Sequence, residues 1–487
     1  MAALAASACH PPAHPSAGPA AHGPAPLAQL RQDIDHLIDA APLARGYWGV
    51  LVASLATGET LYARNPDKLL MPGSTMKVVT LAAAAQQLGW DYTYETRLLA
   101  TGPIDAGVLH GDLVVVGSGD PSPMDRDGVA DPLFSDWWTE LQANGIRAVT
   151  GRLIGDDNVF DDDDLGAGWA WDDLPSGFAA GVSALQYNEN TARVAVAPAS
   201  AVGAPAVVAT TPADSGLVVE SDVRTAPAGS PAAIRARRLP GSARLELRGS
   251  VPIDGPPVSR TVSVANPTLF FVGTARSALV AAGIDIRGPA VDIDDITDAP
   301  SRATAALVAV HRSPPLAALA TTMMKTSQNL YAETLLKTLG GATGATAAAG
   351  SEAAKRLLQG WGVPPGSVLQ ADGSGLSRYN YVTPAALVAV LRHVDADARL
   401  RAPFEASLPV AGRDGTLAAR MKGTPAEGRV RAKTGTLGNV RALAGYATSA
   451  GGEPLVFAIL ANNYGTAAGD AVVAIDAIAV KLAEFRR

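Results

Sequence analysis

The stretch Pro72-Gly73-Ser74-Thr75-Met76-Lys77-Val78-Val79-Thr80-Leu81-Ala82-Ala83-Ala84-Ala85-Gln86-Gln87-Leu88 decides how this chain is read. A Pro-Gly break opens an apolar run that stops at Gly89, so residues 74–88 are predicted to form a buried helix. Positions i and i+3 share a helix face, so the Ser74 hydroxyl and the Lys77 amine can meet. The start of a helix also points N–H groups at incoming negative charge. A serine hydroxyl is a weak nucleophile and needs a base. A lysine can supply one when burial or a positive neighbour destabilises its ammonium. Ser-x-x-Lys alone is common by chance and reads more readily as a capping serine beside an unrelated lysine, so the case needs partners from elsewhere in the chain.

Outward from this helix, residues 29–41 show Leu30, Ile34, Leu37 and Ile38 at helical spacing. Residues 47–63 read as two β runs turning at Ala56-Thr57-Gly58-Glu59. Near the other end, 442–447 and 455–460 form a second hairpin around Ser449-Ala450-Gly451-Gly452. Residues 467–485 form a closing helix with Val472, Ile475, Ala479 and Leu482 on one face. Hairpins flanked by helices at both ends predict an α+β layered fold. The middle, 96–300, is rich in Val, Gly, Pro and Asp, with short strands at 113–116 and 243–247 and one good helix at 270–282. It reads as one or two largely β domains inserted into the first. The Ala/Gly-biased stretch 341–354 reads as a loop leading into a helix at 352–361.

Composition bounds the function. The chain has 487 residues, 48% hydrophobic and 17% charged, which suits a core-forming protein and roughly three domains. Lys+Arg 39 against Asp+Glu 46 gives a net charge of −7, a poor match for nucleic acid. One cysteine allows neither an intrachain disulfide nor a Cys-based zinc cluster, and no cofactor or metal is expected. The acidic run Asp161-Asp162-Asp163-Asp164 lacks an EF-hand pattern and reads as a solvated loop. No run reaches the ~18 apolar residues of a membrane span. Residues 1–26 are Ala/Pro/Gly/His-rich and hold no fold. They read either as the remnant of an export signal, with Ala6-Ser7-Ala8-Cys9 resembling a lipoprotein cleavage box, or as a disordered tail. There is no G-x-S-x-G elbow, H-E-x-x-H or P-loop, and of seven histidines His10, His14 and His22 fall in this tail. His36, His110, His311 and His393 remain, and a Ser-His-Asp hydrolase is disfavoured.

Two further elements complete the first. Ser327-Gln328-Asn329 lies between apolar helical stretches, where a loop could present a hydroxyl and an amide to a cleft. Lys433-Thr434-Gly435-Thr436 precedes a β run. There a lysine can meet a carboxylate, Gly435 permits close approach of a ligand, and a strand N–H can donate to an oxyanion. Alone, each is a common turn or strand. Together and in this order they are the S-x-x-K, S-x-N and K-T-G set of active-site-serine penicillin-binding proteins and serine β-lactamases.

The spacing narrows the resemblance. Ser74 and Ser327 are 253 residues apart, and Ser327 and Lys433 are 106 apart. A long insert between the first two motifs resembles the D-alanyl-D-alanine carboxypeptidase/endopeptidase family of the penicillin-binding protein 4 type, peptidase family S13. Gly119-Asp120-Pro121-Ser122, Asp156-Asp157-Asn158-Val159-Phe160, Gly168-Trp169-Ala170-Trp171-Asp172-Asp173, Asp372-Gly373-Ser374-Gly375-Leu376-Ser377-Arg378 and Leu408-Pro409-Val410-Ala411-Gly412 with Asp414-Gly415-Thr416-Leu417 are similar to that family's motifs, over roughly 45–465. The resemblance implies a transpeptidase-like domain at 27–95 plus 305–487. It further implies an inserted domain at 96–190 plus 262–304, with a nested β domain at 191–261. It implies Ser74 as acylated nucleophile, Lys77 as general base, Ser327 and Asn329 as relay and positioning groups, and Lys433, Thr434 and Thr436 as the carboxylate site beside Gly435. The N–H groups of Ser74 and Thr436 would form the oxyanion hole. Asp156, Phe160, Arg378 and Leu437 would line a pocket for a diaminopimelate side chain. Implied partners are peptidoglycan stem peptides and β-lactams, and the implied place of work is the periplasm or cell envelope. A serine β-lactamase or esterase shares the catalytic set, and a catalytically silent cell-wall sensor is a third reading.

Overall fold

The computed structural model describes residues 26–125, 131–465 and 467–487; the N-terminal stretch with Cys9 lies outside them. A five-stranded antiparallel sheet runs Thr60–Arg64, Tyr47–Ser54, Pro454–Asn462, Val440–Thr448, Val430–Leu437. Both predicted hairpins are therefore present, and they share one sheet. Strand Pro454–Asn462 is apolar at nearly every position because both its faces are covered. Leu455, Phe457 and Ile459 face the terminal helices, packing with Ile34 and Ile38 of Pro26–Asp39 and Ile475 and Ile478 of Ala468–Glu484. Val456, Ala458 and Leu460 face the opposite layer, which contains Val78, Val79 and Ala82.

The helix at the heart of that layer is Met76–Leu88, entered through a 3₁₀ turn, Gly73–Thr75. Every residue from Met76 to Ala85 is buried, and apart from Lys77 and Thr80, whose polar atoms are hydrogen-bonded, the stretch is apolar all round, as an enclosed helix requires. Helices Leu316–Lys325, Asn329–Leu339, Ala347–Gly360, Pro384–Ala396 and Ala398–Ser407 surround it.

The middle of the chain forms further sheets. A mixed sheet runs Ala290–Asp292, Leu153–Asp156, Asp112–Val116, Glu95–Thr101, Ala306–Arg312. Two three-stranded sheets are built from Val207–Thr211, Thr191–Ala197 and Val258–Ser263, and from Val218–Ala226, Arg244–Pro252 and Ala233–Arg237. An α+β fold with extra β regions is thus what the chain adopts.

Two helices depart from expectation. Pro132–Ala143 was not anticipated; the Asp131 carboxylate caps it by accepting from the Leu133 N–H, and Leu133, Trp137 and Leu141 line its buried face. Helix Ala347–Gly360 begins five residues before the expected start, because the Thr346 hydroxyl caps it by accepting from the Ala349 N–H at 2.9 Å. Its internal Gly350 has a reason: a Cβ there would lie 1.8 Å from the Leu336 carbonyl oxygen of the neighbouring helix. Gly350→Ala is expected to force the helices apart and destabilise the protein by about 1–3 kcal/mol. Thermal unfolding reads this directly, and an unchanged midpoint would contradict the close packing.

Candidate active site

Gly73 and Gly435 allow two elements to touch. Gly73 has φ +51°, in the left-handed region, and a Cβ on it would lie 2.7 Å from the Thr436 nitrogen. A Cβ on Gly435 would lie 2.2 Å from the Pro72 carbonyl oxygen. The edge strand Val430–Leu437 therefore runs directly against the turn that carries Ser74.

Lys77 sits beneath Ser74 and is fully buried. Its amine donates to Ser74 Oγ at 3.0 Å, to Asn329 Oδ1 at 2.6 Å and to the Ser374 carbonyl at 2.8 Å. All three acceptors are uncharged. Burial lowers its pKa to about 7, with Glu333 and Asp372 opposing the shift. Lys433 is buried as well and donates to Ser327 Oγ at 2.9 Å and to the Thr434 carbonyl at 3.1 Å. Burial, and then the charge of Lys77, hold it well below the usual lysine range. Two buried amines that repel one another favour one being neutral.

Ser327 occupies the turn between Leu316–Lys325 and Asn329–Leu339 with φ +64°, a strained conformation for a residue with a Cβ. Asn329 is the first residue of its helix rather than part of the loop. Its amide bridges outward, donating from Nδ2 to the Phe178 carbonyl at 2.8 Å.

A cleft of about 460 Å³ opens over these groups. Ser74, Ser327, Asn329, Arg378, Thr436 and Leu437, all expected from the sequence, line it. Lys77 and Lys433 lie under its floor, and Gly435 does not line it but packs against Pro72. The Thr434 hydroxyl donates to Thr416 Oγ1 at 2.9 Å and does not line the cleft. Asp156 and Phe160, expected in the side-chain pocket, do not line it either. Asp156 is buried at a strand end and pairs with Arg302 at 2.9 Å. Phe160 packs among Val182, Ala184, Leu330 and Ala345. The acid that does line the cleft is Asp173, on the wall with Arg378 and the half-exposed Phe178. Burial raises its pKa, as does Asp172, against the lowering effect of Arg378. Asp173 sits in a motif quoted above, but nothing local distinguishes it from Asp156 as the acid facing the cleft.

No histidine lines this cleft among the described residues. His311 pairs with Asp120 at 3.3 Å, and His393 stacks on Trp361. Of the acidic run, Asp161 is paired with Lys337. Asp157, Asp292 and Asp294 bring carboxylate oxygens within 4.8 Å of one another away from the cleft, and Asp157 also accepts from Ser183 Oγ at 2.9 Å.

A serine hydroxyl against a buried amine, a hydroxyl–amide pair and an edge-strand lysine define an active-site-serine acyltransferase of the penicillin-binding class. The chain belongs to the S13 family: the profile described as "D-Ala-D-Ala carboxypeptidase 3 (S13) family" matches residues 30–484. It is a serine-type D-Ala-D-Ala carboxypeptidase by that membership. It is 36% identical over 476 residues to the D-alanyl-D-alanine carboxypeptidase of Actinomadura sp. (strain R39), covering 94% of this chain and 85% of that one. Penicillin binding protein 4 (dacB) from Haemophilus influenzae superposes with a TM-score of 0.81 at 28% identity, covering 92% of this chain and 98% of that chain. A second structure of that protein, complexed with a novel β-lactam, gives a TM-score of 0.76 at 26% identity, covering 93% of this chain and 100% of that one.

Gly435→Ala is expected to push the edge strand off Pro72 and misplace Thr436. The rate of β-lactam acylation should fall by about tenfold or more, since ångström-scale misplacement is costly. Unaltered acylation kinetics in a folded variant would contradict the close approach.

Proposed function

We propose that the cleft hydrolyses the terminal D-Ala-D-Ala amide of peptidoglycan stem peptides through an acyl-enzyme on Ser74. The observation that carries this reading is the 3.0 Å contact between Ser74 Oγ and a buried Lys77 amine whose three partners are all uncharged. Ser74 Oγ bonds to the carbonyl carbon of the penultimate D-Ala as its proton passes to the Lys77 amine. The developing oxyanion lies between the N–H groups of Ser74 and Thr436, with Gly73 and Gly435 permitting that closeness. The C–N bond then breaks. The Lys77 ammonium gives its proton up by way of the Ser327 hydroxyl, which Lys433 holds at 2.9 Å, to the leaving nitrogen, so Lys77 is neutral again and D-Ala departs as the free amino acid. Water bonds to the ester carbon as Lys77 takes its proton; the bond to Ser74 Oγ then breaks, Lys77 returns the proton to that oxygen, and the shortened peptide leaves as its carboxylate.

Lys433 has the chemistry to attract the terminal carboxylate of the peptide. No carboxylate is recorded in hydrogen-bond contact with it among the described residues. Thr436 adds a hydroxyl from the cleft wall. Asp173 and Arg378 suit the ammonium and carboxylate of a zwitterionic stem side chain, with Leu437 against its methylenes. In a D-Ala-diaminopimelate cross-link the scissile nitrogen belongs to the acceptor's diaminopimelate, while a donor stem whose own side-chain amine is free still presents the zwitterion, so endopeptidase cleavage falls within reach of this cleft. β-Lactams would acylate the same hydroxyl and leave slowly. The substrate places the enzyme in the cell envelope.

Mass spectrometry of muropeptides tests the reading: loss of D-Ala or of cross-linked dimers is expected. Rapid turnover of a chromogenic cephalosporin without either would instead favour a β-lactamase. Ser74→Ala should abolish covalent labelling and leave the unfolding midpoint within about 1–2 °C, a surface-like change in a cleft. Lys77 must be neutral to accept a proton, and its neutral fraction grows as pH rises through its pKa. The acylation rate should therefore climb as pH passes upward through about 7 and level off above it. A limb near the ordinary lysine value would contradict the base assignment.

A further inference from the structure

One buried carboxylate has no part in the scheme above. Glu333 lies on helix Asn329–Leu339, inside the protein, and forms no recorded ion pair among the described residues. Its oxygens accept from the backbone N–H of Gly373 and of Ser374, each at 2.8 Å. The far sides of the same loop are held by the helix that carries Lys77. The Gly373 carbonyl accepts from Thr80 Oγ1 at 2.7 Å, and the Ser374 carbonyl accepts from Lys77 Nζ at 2.8 Å. A second carboxylate, Asp372, accepts from the Gly375 N–H at 2.7 Å.

Traced by peptide units, the arrangement is orderly. The unit joining Gly373 to Ser374 spans Glu333 and Thr80. The unit joining Ser374 to Gly375 spans Asp372 and Lys77. A carboxylate on a peptide N–H polarises the carbonyl at its other end and strengthens what that carbonyl accepts. Gly375 makes room for this at φ +88°, since a Cβ there would lie 1.9 Å from the Gly73 carbonyl oxygen beside Ser74. The titratable groups facing one another are Lys77 and Lys433 on one side, Glu333 and Asp372 on the other; burial, and then the charge of Asp372, push the Glu333 carboxyl up to about 8.

We propose that Glu333 is a positioning residue for acylation: it clamps the Gly373–Ser374 backbone so that the Ser374 carbonyl fixes the Lys77 amine between Ser74 and Asn329. Glu333 touches neither substrate nor reacting atoms. It acts through one loop, on one amine. A carboxylate offers two acceptor oxygens to two N–H groups, whereas an amide offers one and turns an N–H against the other. The inference rests on the reading of Lys77 as base.

The test is acylation of Glu333→Gln and Glu333→Asp by a chromogenic β-lactam, with the rate constant per labelled site separated from the labelled fraction, and with kcat and KM for a D-Ala-D-Ala peptide. In Glu333→Gln the rate constant per site should fall about tenfold to a hundredfold, while KM moves less than about threefold. In Glu333→Asp, which keeps both carboxyl oxygens but withdraws them by one methylene, the loss should be intermediate. A wild-type rate constant per site in the folded variants, with only the labelled fraction reduced, would overturn the proposal and leave Glu333 a purely structural residue. If Glu333→Gln does not fold, Glu333→Asp decides alone on the same readout. Lys77→Ala measured beside them separates the two ideas. Normal acylation there sinks the base assignment itself; a dead Lys77→Ala beside wild-type rates in the Glu333 variants sinks only the clamp.

Discussion

The active centre depends on one ammonium group being expensive to keep charged. Lys77 is removed from water, and its three hydrogen-bond partners are a hydroxyl, an amide oxygen and a backbone carbonyl. None neutralises a positive charge directly. A carboxylate in that shell would have made an ion pair and an inert amine. The two acids nearby, Glu333 and Asp372, bond to peptide N–H groups that stand between them and the amine, so they act on it through the backbone and not by direct contact.

Much of the architecture serves to hold that amine in place. The five-stranded sheet joins residues 47–64 to 430–462, which brings Lys433 and Thr436 to the turn before Met76. The surrounding helices bury Met76–Ala85 on every side and hold Ser327 in a conformation a free chain would avoid. The long middle stretch is more than ballast: the Phe178 carbonyl accepts from Asn329 and Asp173 stands on the cleft wall, so part of that wall comes from it.

The parts legible in the sequence were those with local causes. Turn residues at 56–59 and 449–452 marked the hairpins, and Pro72-Gly73 marked the helix start. The three motifs lay in recognisable contexts, so Ser74, Lys77, Ser327, Asn329 and Lys433 could be named together. What escaped depends on distant partners. Glu333 is a lone acid in an apolar helix, and only the backbone of a loop forty residues later explains it. Asp156 and Asp173 look alike in sequence, yet Arg302 ties up the first and leaves the cleft to the second. The early start of Ala347–Gly360 was hidden because Gly350 reads as a helix breaker until the Leu336 carbonyl is seen against it.

The central claim concerns the protonation of a single amine, so the most direct measurement is a side-chain NMR titration of isotopically labelled lysine, with the Lys77 signal assigned through Lys77→Arg. The account predicts a midpoint about 7 for Lys77 in the free enzyme. A Lys77 that stays protonated to the ordinary value of about 10.5 would contradict it.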